Sequence, residues 1–203
     1  MCGGVSLSDN NIYRLKRLDR YLFEIKFDRL PANIGNTDGA FAFGCSSYVK
    51  DGMLHRNLDW NYDNLASFKV VCPEFTGMSF MSGLTDVEQP KESLLKLPFR
   101  VVDGVNRNGI MCSAHVLYND WDFSGHGEIP LTSLPYLVLT KVKSMSTITE
   151  DIGDVLNEIY VPQSMALLGY LLQVLITDGV TTYCLTPKED GSGYEAVNIT
   201  ENP

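Results

Sequence analysis

Gly44-Cys45-Ser46-Ser47-Tyr48-Val49-Lys50-Asp51-Gly52-Met53-Leu54-His55-Arg56-Asn57-Leu58-Asp59-Trp60 decides how the chain is read. Cys45 to Val49 has the composition of a strand, Lys50-Asp51-Gly52 reads as a hairpin turn, and Met53 to Leu58 returns along it. Folding that turn brings Arg56 and Asp59 beside the start of the first strand, so a fixed positive charge and a carboxylate stand near one thiol. A guanidinium stabilises a thiolate, and the thiolate is the nucleophile. The residues alone leave a second reading open, in which Cys45 is a buried strand cysteine and Arg56 and Asp59 form a surface ion pair. Alternation along the strand sends His55 to the face opposite Arg56.

Working outward, Ile12, Leu15, Leu18, Leu22 and Ile25 are spaced by three and four, which predicts an amphipathic helix over Asn10 to Phe27. Pro31 to Gly39 reads as a linker. Downstream, Phe68 to Cys72, Arg100 to Val102 and Ile110 to Ala114 read as short strands, with turns at Asp103-Gly104 and Asn108-Gly109. Leu134, Leu137, Val138 and Lys141 fit one helix, and Thr147 with Glu150 predicts a capping box ahead of a second that runs to about Tyr160. Leu171 to Ile176, Asp178-Gly179 and Val180 to Leu185 predict another hairpin. Strands, then helices, then strands make an α+β chain.

The 203 residues suffice for a substantial core, and 44% hydrophobic with 20% charged residues is an ordinary globular composition. Sixteen basic against twenty-five acidic side chains give a net charge of -9 with no concentrated basic patch, which speaks against a nucleic-acid partner. The longest mainly apolar stretch, Met165 to Ile176, is twelve residues and too short to span a membrane. Met1-Cys2-Gly3-Gly4 leads into a polar segment rather than an apolar signal, so the expected location is cytoplasmic. Five cysteines (Cys2, Cys45, Cys72, Cys112 and Cys184) without a CxxC pair argue against a disulfide framework and a structural zinc site. No metal and no cofactor are expected.

Gly44-Cys45-Ser46-Ser47, then Arg56-Asn57-Leu58-Asp59-Trp60, then Gly104-Val105-Asn106-Arg107-Asn108-Gly109-Ile110 resemble the choloylglycine hydrolase and penicillin V acylase family. That family belongs to the N-terminal nucleophile hydrolases, which cleave linear amide C–N bonds. The resemblance implies a four-layer αββα sandwich, shortened at its C-terminus because the family's later motifs lie beyond Pro203. Residues 1–44 would be a propeptide and 45–203 the hydrolase domain. Cutting the Gly44-Cys45 bond autocatalytically would free the Cys45 α-amine as base beside its own thiol nucleophile. Arg56 would hold the thiolate, Asp59 would orient the α-amine, and Asn106 would help form the oxyanion hole. Read from the residues themselves, Trp60, Tyr62, Tyr118 and Trp121 either line an apolar acyl pocket or pack under the sheet. The partner implied is a small-molecule amide, of the bile-salt-conjugate, penicillin V or N-acyl amine type, with a homo-oligomer left open.

Three alternatives stand beside this. Cys2 would be exposed by loss of Met1, but it is separated from Arg56 by the predicted helix and linker, whereas Cys45 leads directly into the hairpin. A cysteine–histidine hydrolase would use His115 or His126 as base. A catalytically incomplete remnant of the same fold would bind a ligand or another chain through an unpaired sheet edge.

Overall fold

A computed structural model of the chain describes residues 5–6, 44–59, 65–82, 95–118, 127–161 and 170–201. The expected helix over Asn10 to Phe27 and the linker Pro31 to Gly39 lie outside the described residues. In chain order the strands are β1 (Val5–Ser6), β2 (Gly44–Lys50), β3 (Met53–Asp59), β4 (Leu65–Val71), β5 (Phe75–Ser82), β6 (Val101–Asn106), β7 (Met111–Tyr118) and β8 (Ile129–Pro130). Helices α1 (Leu134–Lys141) and α2 (Ile148–Asn157) follow, and then β9 (Ile159–Tyr160), β10 (Tyr170–Thr177), β11 (Thr182–Pro187) and β12 (Tyr194–Asn198).

Eight strands form one sheet in the order β1-β4-β5-β6-β7-β10-β11-β12. Its pairs are antiparallel except β1 on β4. One face carries the helices. Leu134, Val138 and Leu139 of α1 and Ile148, Ile152 and Leu156 of α2 are buried with Val101, Cys112, Ala114, Val174, Ile176 and Leu185 of the strands, which makes the core. The opposite face carries the β2–β3 hairpin, a separate two-stranded sheet. Among the described residues the large sheet thus carries helices on one face and the two-stranded hairpin on the other. A helical layer over the hairpin is not seen among the described residues.

The hairpin closes as its turn residues require. Asp51 and Gly52 both have positive φ, 54° and 74°, the backbone of a type I′ turn whose twist matches the strands. This turn rests on the one between β10 and β11. A Cβ on Gly179, which has φ +90°, would lie 2.6 Å from the Gly52 carbonyl oxygen, so glycine there admits the hairpin.

Two expectations are corrected and one strand is added. Asp103-Gly104 is not a turn but the middle of β6. Gly104 serves close packing, because a Cβ there would meet Leu139 Cδ1 at 2.6 Å and the Thr76 carbonyl at 2.9 Å. β5 went unrecognised, since Gly77 and Ser79 break its apolar run. The Thr147–Glu150 capping box is replaced by Thr147 Oγ1 donating to Asp151 Oδ2 at 2.9 Å, while the same carboxylate oxygen accepts from Lys143 N at 2.8 Å.

Candidate active site

Alternation turns Cys45, Ser47 and Val49 of β2 toward the large sheet and leaves Ser46, Tyr48 and Lys50 exposed. The pairing register sets Arg56 directly opposite Ser47 and therefore diagonal to Cys45 on the same face. His55 lies on the outer face, stacked on Tyr48 with ring centroids 4.8 Å apart, as alternation requires.

The Arg56 guanidinium is held by groups from three strands. Its Nη2 lies 3.6 Å from Cys45 Sγ and donates to the Ala114 carbonyl at 2.6 Å. Its Nη1 donates to Asp103 Oδ2 at 2.5 Å. The two side chains are only 10% and 20% exposed, so this pair is screened far less than one on the surface. Asp103, a buried counter-ion of the arginine, was missed because Asp103-Gly104 has the local look of a turn. Alternation along Val101–Asn106 was the signal that could have found it. Burial pushes the Asp103 carboxyl above the ordinary carboxylate range, with Arg56 and the Ser113 hydroxyl pulling the other way.

Ser113 and His115 of β7 project toward the hairpin on the face that carries Asp103. His115 Nε2 lies 2.8 Å from Ser47 Oγ and 3.3 Å from Ser113 Oγ, and the two hydroxyls are 3.2 Å apart. Burial first, and the Arg56 charge second, lower the imidazole to about 4, so it is neutral near pH 7. A neutral imidazole whose Nε2 bears no proton accepts a hydrogen bond from Ser47. His115 was expected only as the base of the alternative mechanism. Its neighbourhood with Ser47 was not legible, since they lie 68 residues apart.

Asn106 is not brought to Cys45. It projects from β6 on the helix side, where it is 6% exposed and its Nδ2 donates to the Val142 carbonyl at 2.8 Å. Its Oδ1 accepts from the backbone amides of Asn108 and Ile110, both at 3.0 Å. The oxyanion role expected for Asn106 does not fit this placement, because the large sheet stands between it and the thiol. The G-x-N-x-x-G pattern reads instead as a turn clamped by a buried amide, with Gly109 at φ +82°.

The backbone of Asp59 ends β3 opposite Gly44. Its side chain, together with Trp60, Tyr62, Trp121 and His126 and the side chain of Tyr118, lies outside the described residues, as does Cys2. Of the other cysteines, Cys112 is buried against the Pro135 carbonyl, and burial pushes its thiol strongly upward. The half-buried thiol of Cys184 is raised for the same reason. Among the described residues no His, Cys, Asp and Glu side chains are grouped to hold a metal ion, and no helix is long and apolar enough to cross a membrane.

No protein-family model and no curated protein matches the sequence. Among solved structures the chain is similar to penicillin V acylase from Agrobacterium tumefaciens, at 12% identity over 77% of this chain and 50% of that one, with a TM-score of 0.42. It is also similar to two variants of conjugated bile acid hydrolase from Clostridium perfringens. One is 17% identical over 68% of this chain and 44% of that one, with a TM-score of 0.38. The other is 16% identical over 77% and 51%, with a TM-score of 0.43. The chain spans about half the length of the structures it matches.

Proposed function

We propose that the chain is a cysteine amidase of the N-terminal nucleophile type, with the αββα architecture of that class, which hydrolyses a linear amide C–N bond of a small N-acyl compound. Bile-salt conjugates, penicillin V and N-acyl amines are the candidate substrates. The observation that carries the reading is Arg56 Nη2 standing 3.6 Å from Cys45 Sγ, while Asp103 and the Ala114 carbonyl fix the guanidinium. A buried fork so constrained stabilises negative charge on sulfur without reorganising during attack.

In this proposal the Gly44-Cys45 bond is cut by the chain itself. The liberated α-amine of Cys45, of a type that titrates near about 8, takes the thiol proton and returns it to the leaving amine. Arg56 holds the thiolate, Asp59 orients the α-amine, and Trp60 and Tyr62 contact the acyl group. No cofactor takes part.

One observation favours the runner-up, a catalytically incomplete module that binds rather than cleaves: the amide of Asn106 is spent on its own turn and supplies no oxyanion donor to the thiol. The experiment is intact-mass measurement of the purified chain, followed by incubation with glycocholate, penicillin V and an N-acyl ethanolamine. Loss of residues 1–44 and amine release from one of the three, both abolished in Cys45→Ala, is the result expected. An uncut chain that releases no amine but binds one of these compounds would give the reading to the binding module.

A further inference from the structure

Before the Gly44-Cys45 bond is cut, the nitrogen of Cys45 is an amide, so the base assigned to turnover does not yet exist. Self-cleavage needs another proton acceptor, and the described residues offer one on the same face of the hairpin. Ser47 follows Cys45 by two positions on the same face of β2, where Cα atoms lie about 6.6 Å apart, so a relay between the two side chains runs through water. Ser47 Oγ is in turn 2.8 Å from His115 Nε2. We propose that His115, acting through Ser47, is the proton acceptor for self-cleavage before Cys45, an assignment that rests on the amidase reading above and concerns only its first, once-per-molecule step.

The atoms balance as follows. The Cys45 thiol proton passes along water and the Ser47 hydroxyl to His115 Nε2 as sulfur attacks the Gly44 carbonyl carbon. The C–N bond between Gly44 and Cys45 breaks, and its electron pair stays on nitrogen. Nitrogen recovers the proton from the imidazolium and becomes the α-amine, which leaves Gly44 as a thioester on sulfur. Water then adds to the thioester, giving the Gly44 carboxylic acid and the free Cys45 thiol.

The surroundings suit an acceptor used once. The ring is neutral near pH 7 and so has room for the proton, and the same buried, arginine-facing position that keeps it neutral makes it a weak base. A weak base gives a slow reaction, which a single event per molecule tolerates and repeated turnover does not. Ser113 steadies the arrangement, its hydroxyl lying 3.2 Å from Ser47 Oγ and 3.3 Å from His115 Nε2.

The test follows the intact mass of the full chain with time after refolding at pH 7.5 for wild type, Cys45→Ala, His115→Ala and Ser47→Ala, each checked for native melting behaviour. His115→Ala is expected to cut at least about a hundredfold more slowly, the lower range of what a general base supplies, and added imidazole is expected to restore much of the rate. Ser47→Ala keeps the ring but loses the relay, and is expected to slow cutting about tenfold. Cutting of His115→Ala at the wild-type rate overturns the inference and leaves the amidase reading standing. A folded but slow His115→Ala that imidazole does not rescue also overturns it, since a structural histidine behaves that way. A wild type that never cuts removes both.

Discussion

Arg56 and Asp103 join the two sheets through a buried ion pair. Arg56 leaves the hairpin and Asp103 leaves the centre of β6, and they meet at 2.5 Å, at 10% and 20% exposure. Breaking a buried pair by removing one charge leaves the other uncompensated, which costs about 3–5 kcal/mol. Asp103→Asn preserves shape while removing the charge, so it is expected to lower unfolding free energy by that order in urea. A loss below about 1 kcal/mol, the range of exposed pairs, would show that the arginine does not depend on Asp103.

The same guanidinium is expected to govern the reactivity of Cys45. Arg56→Gln should slow iodoacetamide alkylation of Cys45, followed by peptide mapping so that the other thiols do not intrude, by about tenfold, which corresponds to losing about 1.4 kcal/mol of charge stabilisation. Arg56→Lys should fall between the two. A single ammonium restores charge but does not reach Asp103, the Ala114 carbonyl and sulfur together as the planar fork does. Equal alkylation rates in all three proteins would remove the electrostatic basis for the site.

The hairpin was legible because its cause is local. Asp51-Gly52 demands positive φ at two successive residues, and the alternation on either side follows. The thiol and the guanidinium were therefore placed on one face from sequence alone. Asp103-Gly104 presents the same two residue types, yet they lie inside a strand, because the constraint on Gly104 is Leu139 from a helix more than thirty residues on. Gly77 likewise belongs to a strand: a Cβ there would meet the Asp103 carbonyl at 2.6 Å. Ser113 and His115 were recognisable as one face of a strand, but their meeting with Ser47 depends on how two sheets stack, which no local pattern encodes.

Burial of His115 makes stability depend on pH with a definite sign. The folded imidazole titrates near about 4, below its ordinary 6.5, so the unfolded chain binds more protons between those values and stability falls as pH drops through that window. Asp103, with its carboxyl raised, binds protons more readily when folded and opposes the trend above its ordinary 3.8. Among the described residues the charge that acts on the ring is that of Arg56 from β3. His115→Gln removes only the histidine contribution. Melting temperatures between pH 7 and pH 4 should therefore fall less steeply in the variant than in wild type, and parallel curves would mean that the folded ring takes up its proton as readily as the unfolded one.

Gly52 and Gly179 separate backbone strain from contact. Gly52→Ala forces an L-residue to φ +74°, with nothing within 4 Å of the new Cβ, and is expected to cost about 1 kcal/mol. Gly179→Ala bears a comparable strain at φ +90° and also drives its Cβ into the Gly52 carbonyl at 2.6 Å. The overpacking should add about 1–3 kcal/mol and lift the hairpin from the sheet, so alkylation of Cys45 should change in this variant and not in Gly52→Ala. Equal costs for the two substitutions would mean that the two turns do not bear on each other.

Asn106 offers the sharpest choice between a structural and a catalytic amide. Three hydrogen bonds tie it to its own turn and to the Val142 carbonyl. Asn106→Ala strands the amides of Asn108 and Ile110, one of them buried, and leaves the Val142 carbonyl without its amide donor. An unsatisfied buried group costs about 1–3 kcal/mol, so the variant should lose about 2–4 kcal/mol in urea unfolding while Cys45 alkylates at the wild-type rate. Asn106→Asp keeps the acceptor oxygen for the two amides but sets a buried carboxylate oxygen against the Val142 carbonyl, so it too should lose stability while Cys45 alkylates at the wild-type rate. An oxyanion donor would behave in the opposite way. Its loss would leave the melting temperature near that of wild type and cut amide hydrolysis by about a hundredfold or more. That result would require Asn106 to reach the hairpin face of the sheet, against the placement of its amide on the helix side.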